Sequence, residues 1–130
     1  MNSKKIILIV DDDVDFRNQI KFYCEKFGYE TITANGETEA IEVIKTKKPD
    51  LAILDLMMEK DDSGFILSYK IKQKYPDVPV IIATAVTSET GLIFGVESQE
   101  EQQWIKADLI MEKGVRPDQL QREIKRLLKE

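Results

Sequence analysis

The chain alternates between short, continuous apolar runs and longer segments in which apolar residues recur at helical spacing. Residues 6–10 form the first run, and their β-branched character predicts a strand that is buried on both faces. Phe16, Ile20 and Cys24 then fall on one stripe of a helix. Gly28 ends this helix, because glycine readily adopts the left-handed conformation that follows a last helical turn.

The same alternation continues to the end of the chain. Pro49, Pro76 and Pro79 end or separate the periodic segments, and the region 86–107 is the least regular of them. Further strands are predicted at 29–33, 51–54, 79–83 and 109–111, and further helices at 37–48, 65–75, 96–106 and 117–128.

Strands and helices that follow one another in this order predict an α/β fold. Five strands that alternate with five helices favour a parallel sheet covered on both sides, because each crossover returns to the same end of the sheet with right-handed connectivity. The 130 residues show no repeat, low-complexity run or linker, so residues 1–130 are interpreted as one domain.

Composition restricts the chemistry that this domain can perform. The chain has 19 basic and 24 acidic residues, a net charge of −5, one cysteine and no histidine. Histidine-based catalysis, an internal disulfide and the usual zinc ligand sets are therefore excluded. The acidic excess argues against nucleic acid as a partner. No stretch approaches the ~20 apolar residues of a membrane span, and we expect an intracellular, cytoplasmic protein.

Aspartates follow two of the predicted strands. Asp11, Asp12 and Asp13 come after the first strand and Asp55 after the third, and ligands of open parallel sheets bind at that edge. One acid, Asp13 or Asp15, is enough to cap the first helix. The remaining carboxylates repel one another in a partly desolvated cleft. Mg²⁺ accepts carboxylate, carbonyl and water oxygens, so this cluster predicts a magnesium site.

Two further polar residues end strands at the same edge. Thr84 follows the fourth strand and Lys113 the fifth. A metal alone does not call for a lysine, whereas a phosphoryl group bound to a carboxylate needs an ammonium and a hydroxyl to compensate its charge. This combination favours Asp55 as a nucleophile that forms an aspartyl phosphate.

With these residues in place, the chain resembles the receiver domain of two-component response regulators over essentially its full length. Each matching segment is short, and the order and spacing of the segments make the resemblance specific. The segments are IILIVDDD at 6–13, PDLAILDLMM at 49–58 with DSGF at 62–65, PVIIATA at 79–85, and ADLIMEK at 107–113.

The resemblance implies a flavodoxin-like, doubly wound sheet with strand order 2-1-3-4-5. It also implies that Asp11 and Asp12 hold Mg²⁺, with Asp12 the more direct ligand. Asp55 and the backbone carbonyl of Met57 would complete the protein's contribution to that metal site.

The resemblance further implies a role in a phosphorelay. Asp55 would accept a phosphoryl group from the histidine of a sensor kinase or of a histidine phosphotransfer protein, which accounts for the absence of histidine from this chain. Thr84 and Lys113 would then respond to the phosphoryl group and shift the surface formed by the last two predicted helices and the fifth strand between two states. We expect a stand-alone regulator and not an enzyme. This regulator would act on a downstream protein, either as a monomer or as a weak phosphorylation-dependent dimer.

Two alternatives remain open at the level of sequence. Asp11, Asp13 and Val14 resemble the Asp-x-Asp-x-Val pattern of haloacid dehalogenase-type phosphatases, with the valine one residue earlier than in the pattern, and Asp11 would be the nucleophile. The loop after Asp55 is about one residue longer than is usual in receivers, which is compatible with an unphosphorylated, receiver-like binding module.

Overall fold

The structure, a computed structural model, describes residues 4–56, 58, 63–84, 107–114 and 116–130. Within these residues strands and helices alternate up to residue 84, and one further strand and one further helix lie in the described part after residue 106. Among the described residues, none of the helices combines the length and apolar character that crossing a membrane requires. The elements are β1 (Ile6–Val10), α1 (Val14–Lys26), β2 (Glu30–Ala34), α2 (Glu37–Thr46), β3 (Leu51–Asp55), α3 (Ser63–Lys74), β4 (Val80–Thr84), β5 (Leu109–Glu112) and α4 (Pro117–Leu128).

The five strands form one parallel sheet in the order β2-β1-β3-β4-β5, which confirms the predicted topology. Each described strand lies within one residue of the segment predicted for it. The register pairs Asp55 with Ala83 and Thr84 with Glu112, so the carboxyl ends of β3, β4 and β5 lie side by side. The predicted helix at 96–106 lies outside the described residues.

The sheet separates two hydrophobic cores. Leu8 and Val10 of β1 pack on the side covered by α2 and α3, while Ile7 and Ile9 pack on the side covered by α1 and α4. All four side chains are almost fully buried, and burial of one such side chain contributes about 1.5–3 kcal/mol. The continuous apolar run is thus explained by a strand with helices on both of its faces.

Helix α1 begins and ends as the sequence predicts. Asp13 caps its N-terminus, where the side-chain Oδ1 accepts hydrogen bonds from the amides of Asp15 (3.0 Å) and Phe16 (3.4 Å). At the other end, Gly28 has a φ of 98°, the left-handed conformation that favours glycine. These two residues fix the length of α1 and its entry point beside the acidic run.

Gly64 places the start of α3 against the end of β3. A Cβ atom at this position would lie 2.5 Å from the carbonyl oxygen of Asp55 and 2.6 Å from the Cα of Leu56. The amide of Gly64 donates a 2.7 Å hydrogen bond to the carbonyl of Leu56. The close contact requires a residue without a side chain, and it holds the backbone that carries Asp55.

Candidate functional site

The three aspartates predicted to bind a metal form a single cluster. Asp11 and Asp12 follow β1, and Asp55 is the last residue of the neighbouring strand β3. One carboxylate oxygen from each of the three lies within 4.8 Å of the others. Asp11 is only 1% exposed and Asp55 only 6%, whereas Asp12 is exposed. Two of the three charges are therefore held largely away from water, where their mutual repulsion is strong.

Lys113 joins this cluster from the end of β5. Its Nζ atom lies 3.0 Å from Oδ2 of Asp11 and 3.2 Å from Oδ1 of Asp55. The ammonium also lies over the ring of Phe16, 4.8 Å from its centroid. One positive charge thus faces three carboxylates, and it compensates their repulsion only in part.

The incomplete compensation changes the protonation of the cluster. Burial, together with the negative charge of Asp11, raises the pKa of Asp55 from 3.8 to about 6, although Lys113 acts to lower it. Burial acts to lower the pKa of Lys113, but the carboxylates of Asp11 and Asp55 outweigh it and raise that pKa overall. The lysine is therefore charged at neutral pH, whereas ionisation of Asp55 is disfavoured by its burial and by the neighbouring carboxylate.

Asp11 is oriented by two hydrogen bonds that leave one carboxylate oxygen facing the cluster. Its Oδ1 accepts a 2.8 Å hydrogen bond from the amide of Asp13, and its backbone carbonyl accepts one of 2.7 Å from Nη1 of Arg17. Among the described residues, no donor has hydrogen-bond geometry at Oδ2, since the contact with Lys113 is an ion pair without that geometry. A buried, negatively charged oxygen without a hydrogen bond fits a hard divalent cation.

Thr84 occupies the strand end between Asp55 and Lys113. It is buried, and its backbone carbonyl accepts a 2.9 Å hydrogen bond from the amide of Lys113. The amide of Leu56 donates to the carbonyl of Ala83 at 3.3 Å, which ties β3 to β4 at the same level. The described sequence-predicted residues thus converge on one edge. Met57 lies outside the described residues, and its role as a carbonyl ligand stays a prediction.

The structure adds two residues to the site that the sequence did not identify. The position of Phe16 on the apolar stripe of α1 predicts a core residue alone, and no sequence pattern distinguishes Arg17, yet Phe16 contacts Lys113 and Arg17 donates to the backbone of Asp11. Both lie in the first turn after the acidic run. Their position is the one feature of the sequence that could have indicated a place in the site, because the first turn of a helix after a strand borders the ligand edge of the sheet.

The geometry does not favour the phosphatase alternative. That alternative makes Asp11 the nucleophile and counts Asp13 in the same motif. Here the side chain of Asp13 is turned to the N-terminus of α1, where it accepts hydrogen bonds from Asp15 and Phe16. Asp55, which that alternative leaves without a role, lies at the centre of the cluster.

The chain is similar to known proteins over most of its length. A family model described as "Response regulator receiver domain" matches residues 7–125. The chain is 32% identical over 129 residues to the alkaline phosphatase synthesis transcriptional regulatory protein PhoP of Bacillus subtilis, which covers 99% of this chain and 50% of that protein. The chain spans about half the length of the curated relatives that it matches.

Solved structures with the same fold include chains that this one matches over nearly their full length. A receiver domain protein (CheY-like) from Methanospirillum hungatei superposes with a TM-score of 0.81 at 29% identity, covering 98% of this chain and 95% of that one. The response regulator protein TrrA from Thermotoga maritima, in complex with Mg²⁺ and BeF, superposes with a TM-score of 0.76 at 29% identity, covering 95% and 98%.

Proposed function

The chain belongs to the response regulator receiver domain family, and from this premise we propose that Asp55 accepts a phosphoryl group in a two-component phosphorelay. The position of Asp55 carries the proposal. Its buried carboxylate ends a central strand, next to one ammonium and two further carboxylates. The donor is a phosphohistidine of a sensor kinase or of a histidine phosphotransfer protein, since this chain contains no histidine.

The transfer exchanges one bond at phosphorus for another. A carboxylate oxygen of Asp55 attacks the phosphorus, and a P–O bond forms while the P–N bond to the donor imidazole breaks and its electron pair returns to nitrogen. Lys113 lies 3.2 Å from Oδ1 of Asp55 and compensates charge on the transferred group. Thr84, at the end of the strand between them, supplies its hydroxyl as a donor to a phosphoryl oxygen.

Asp11, Asp12 and Asp55 are the residues that would hold Mg²⁺. Bound Mg²⁺ supplies positive charge that offsets both the carboxylate repulsion and the charge on the phosphoryl oxygens. Asp11 offers Oδ2, which pairs with Lys113 but has no hydrogen-bond donor among the described residues, and Asp12 offers an exposed carboxylate. The similar TrrA structure contains Mg²⁺ and BeF together, which supports the same combination here.

The phosphoryl group acts by adding charge beside Thr84 and Lys113. Both residues end strands at the edge of the sheet, and Lys113 leads from β5 towards α4. A change in their partners shifts the protein between two states and alters the protein-binding surface formed by β5, α4 and the predicted helix at 96–106. The relatives are named transcriptional regulators, and we propose that this chain itself contacts protein and not nucleic acid.

Labelling with acetyl phosphate tests the proposal. The protein is incubated with Mg²⁺ and acetyl phosphate, and its intact mass is measured against a known receiver domain. We expect a gain of one phosphoryl group that is lost in Asp55→Asn. Asp13→Asn is the matched control, because Asp13 belongs to the same acidic run but caps α1, and asparagine also caps helices. This variant is expected to be labelled as the unmodified chain is.

Each contrary result points to a defined alternative. Absence of labelling under conditions that label the control receiver would support an unphosphorylated binding module. Turnover of phosphate esters that survives Asp55→Asn and is lost in Asp11→Asn would support the phosphatase alternative.

A further inference from the structure

The ring of Phe16 is a third partner of the Lys113 ammonium. The Nζ atom lies 4.8 Å from the ring centroid, within the distance at which an aromatic ring attracts a cation. Phe16 is half-buried and packs against the core between the sheet and helices α1 and α4. Its ring is therefore held in place by the fold, independently of the charges in the cluster.

The three partners of Lys113 respond differently to a divalent cation. Asp11 and Asp55 both belong to the carboxylate cluster that fits a metal, so a bound cation withdraws part of their attraction for the lysine and repels the ammonium. The Phe16 ring has no net charge and no oxygen ligand for a hard cation. Of these three partners, it is the one whose attraction for Lys113 persists when the metal is bound.

We propose that Phe16 is a positioning residue that sets the competition between Lys113 and a divalent cation for Asp11, and that keeps the ammonium beside Asp55 once the cation is bound. This inference rests on the proposed function, because the ammonium held beside Asp55 serves the phosphoryl group. It assigns to Phe16 a role that its position on the apolar stripe of α1 does not reveal.

Loss of the ring has two consequences of opposite sign. In the metal-free site the two carboxylates already hold Lys113, and the ring adds its full attraction. In the metal-bound site the lysine can move into solvent, so removal of the ring costs less free energy there than in the metal-free site. Removal of the ring therefore favours metal binding, while it lowers the fraction of molecules with an ammonium beside Asp55. General damage to the site would instead weaken metal binding and slow phosphoryl transfer together.

Phe16→Leu removes the ring and keeps an apolar side chain. We expect Mg²⁺, titrated alone into metal-free protein, to bind about two- to fivefold more tightly, the effect of one cation–ring contact. At saturating Mg²⁺, labelling by acetyl phosphate is expected to slow by less than about twofold, because most of the effect of the contact already appears in the Mg²⁺ affinity. Phe16→Tyr retains the ring and should match the unmodified chain in both measurements.

Two further variants separate the ring's electrostatics from its packing. Pentafluorophenylalanine at position 16 keeps the shape of the ring but reverses its charge distribution, so it should behave as Phe16→Leu does even if that variant folds poorly. In a Lys113→Gln background, Phe16→Leu should leave the Mg²⁺ affinity unchanged. Weaker Mg²⁺ binding in Phe16→Leu, or a shift that persists without Lys113, would assign Phe16 to packing alone.

The measurements distinguish this inference from the proposed function. A chain that binds Mg²⁺ but takes up no phosphoryl group contradicts the proposed function, and the Mg²⁺ titrations still decide the role of Phe16. A chain that is labelled normally, with a Mg²⁺ affinity that is the same with and without the ring, overturns the inference about Phe16 and leaves the proposed function in place.

Discussion

The Nζ atom of Lys113 lies 3.2 Å from Oδ1 of Asp55, across the end of the strand that separates them. Strand β4 lies between β3 and β5, so the lysine side chain reaches over Thr84 to meet the carboxylate. The same ammonium lies 3.0 Å from Oδ2 of Asp11. One side chain thus links the ends of strands β1, β3 and β5, and its removal affects stability as well as chemistry.

Lys113→Gln is expected to destabilise the metal-free protein at neutral pH by about 2–3 kcal/mol, because it leaves two buried carboxylates without a counter-charge. The measurement is urea unfolding in the presence of a chelator. Added Mg²⁺ should restore part of the loss by replacing the missing charge. Lys48→Gln is the control, since Lys48 pairs with Asp77 at the surface and such pairs contribute about 0–1 kcal/mol. Equal losses in the two variants would contradict the prediction.

Asp55→Asn is expected to stabilise the metal-free protein above pH 6. The pKa of Asp55 is raised from 3.8 to about 6, so between these values the folded state binds more protons than the unfolded state. The stability that this proton contributes is present below about pH 4 and is lost as pH rises through about 6. Asparagine does not ionise, and the variant should be more stable than the unmodified chain at pH 7.5 by on the order of 1–3 kcal/mol.

The pH dependence of that difference is the decisive observation. Unfolding curves at pH 4 and pH 7.5, both without metal, should show a gain for Asp55→Asn that shrinks towards the lower pH. Asp50→Asn provides the comparison, because Asp50 accepts a hydrogen bond from the amide of Ile6 at the opposite edge of the sheet. A gain from Asp55→Asn that is equal at both pH values would show that carboxylate repulsion is not its cause.

The predictable part of this molecule follows from burial and from strand polarity. Continuous apolar runs such as residues 6–10 mark strands covered on both faces, and a parallel sheet brings every residue that ends a strand to one edge. That reasoning places Asp11, Asp55, Thr84 and Lys113 together without coordinates.

The remaining features depend on side-chain directions that no local pattern encodes. Phe16 and Lys113 are far apart in the chain, and an aromatic residue on an apolar stripe looks the same whether or not its ring faces a cation. The contact of Lys113 with both Asp11 and Asp55 depends on a rotamer that spans three strand ends. The close approach of Gly64 to Asp55 depends on the angle at which α3 starts.

Cys24 is expected to be unreactive in the folded protein. Cys24 lies on α1, and its side chain is fully buried in the core. Burial, and to a smaller extent the charge of Glu25, raises the pKa of the thiol from 9.0 to about 12. The thiolate, which is the reactive form, is therefore scarce at pH 8. A thiol reagent such as Ellman's reagent should modify Cys24 at the rate of global unfolding, and immediately in denaturant. Rapid modification of the native protein would show that α1 opens locally.

Gly64→Ala is expected to disturb the site from a distance. The added Cβ would meet the carbonyl oxygen of Asp55 at 2.5 Å, so the start of α3 or the end of β3 has to move. Either movement displaces Asp55 from Asp11 and Lys113, and we expect a loss of about 1–3 kcal/mol in stability together with weaker Mg²⁺ binding.

Gly28→Ala is the matched control, because Gly28 has a φ of 98° but no atom within 4 Å of an added Cβ. That variant should lose stability through backbone strain, by about 1–2 kcal/mol, and keep its Mg²⁺ affinity. Calorimetric titration of Mg²⁺ into both variants separates the two effects, and unchanged affinity in Gly64→Ala would show that the site tolerates the displacement.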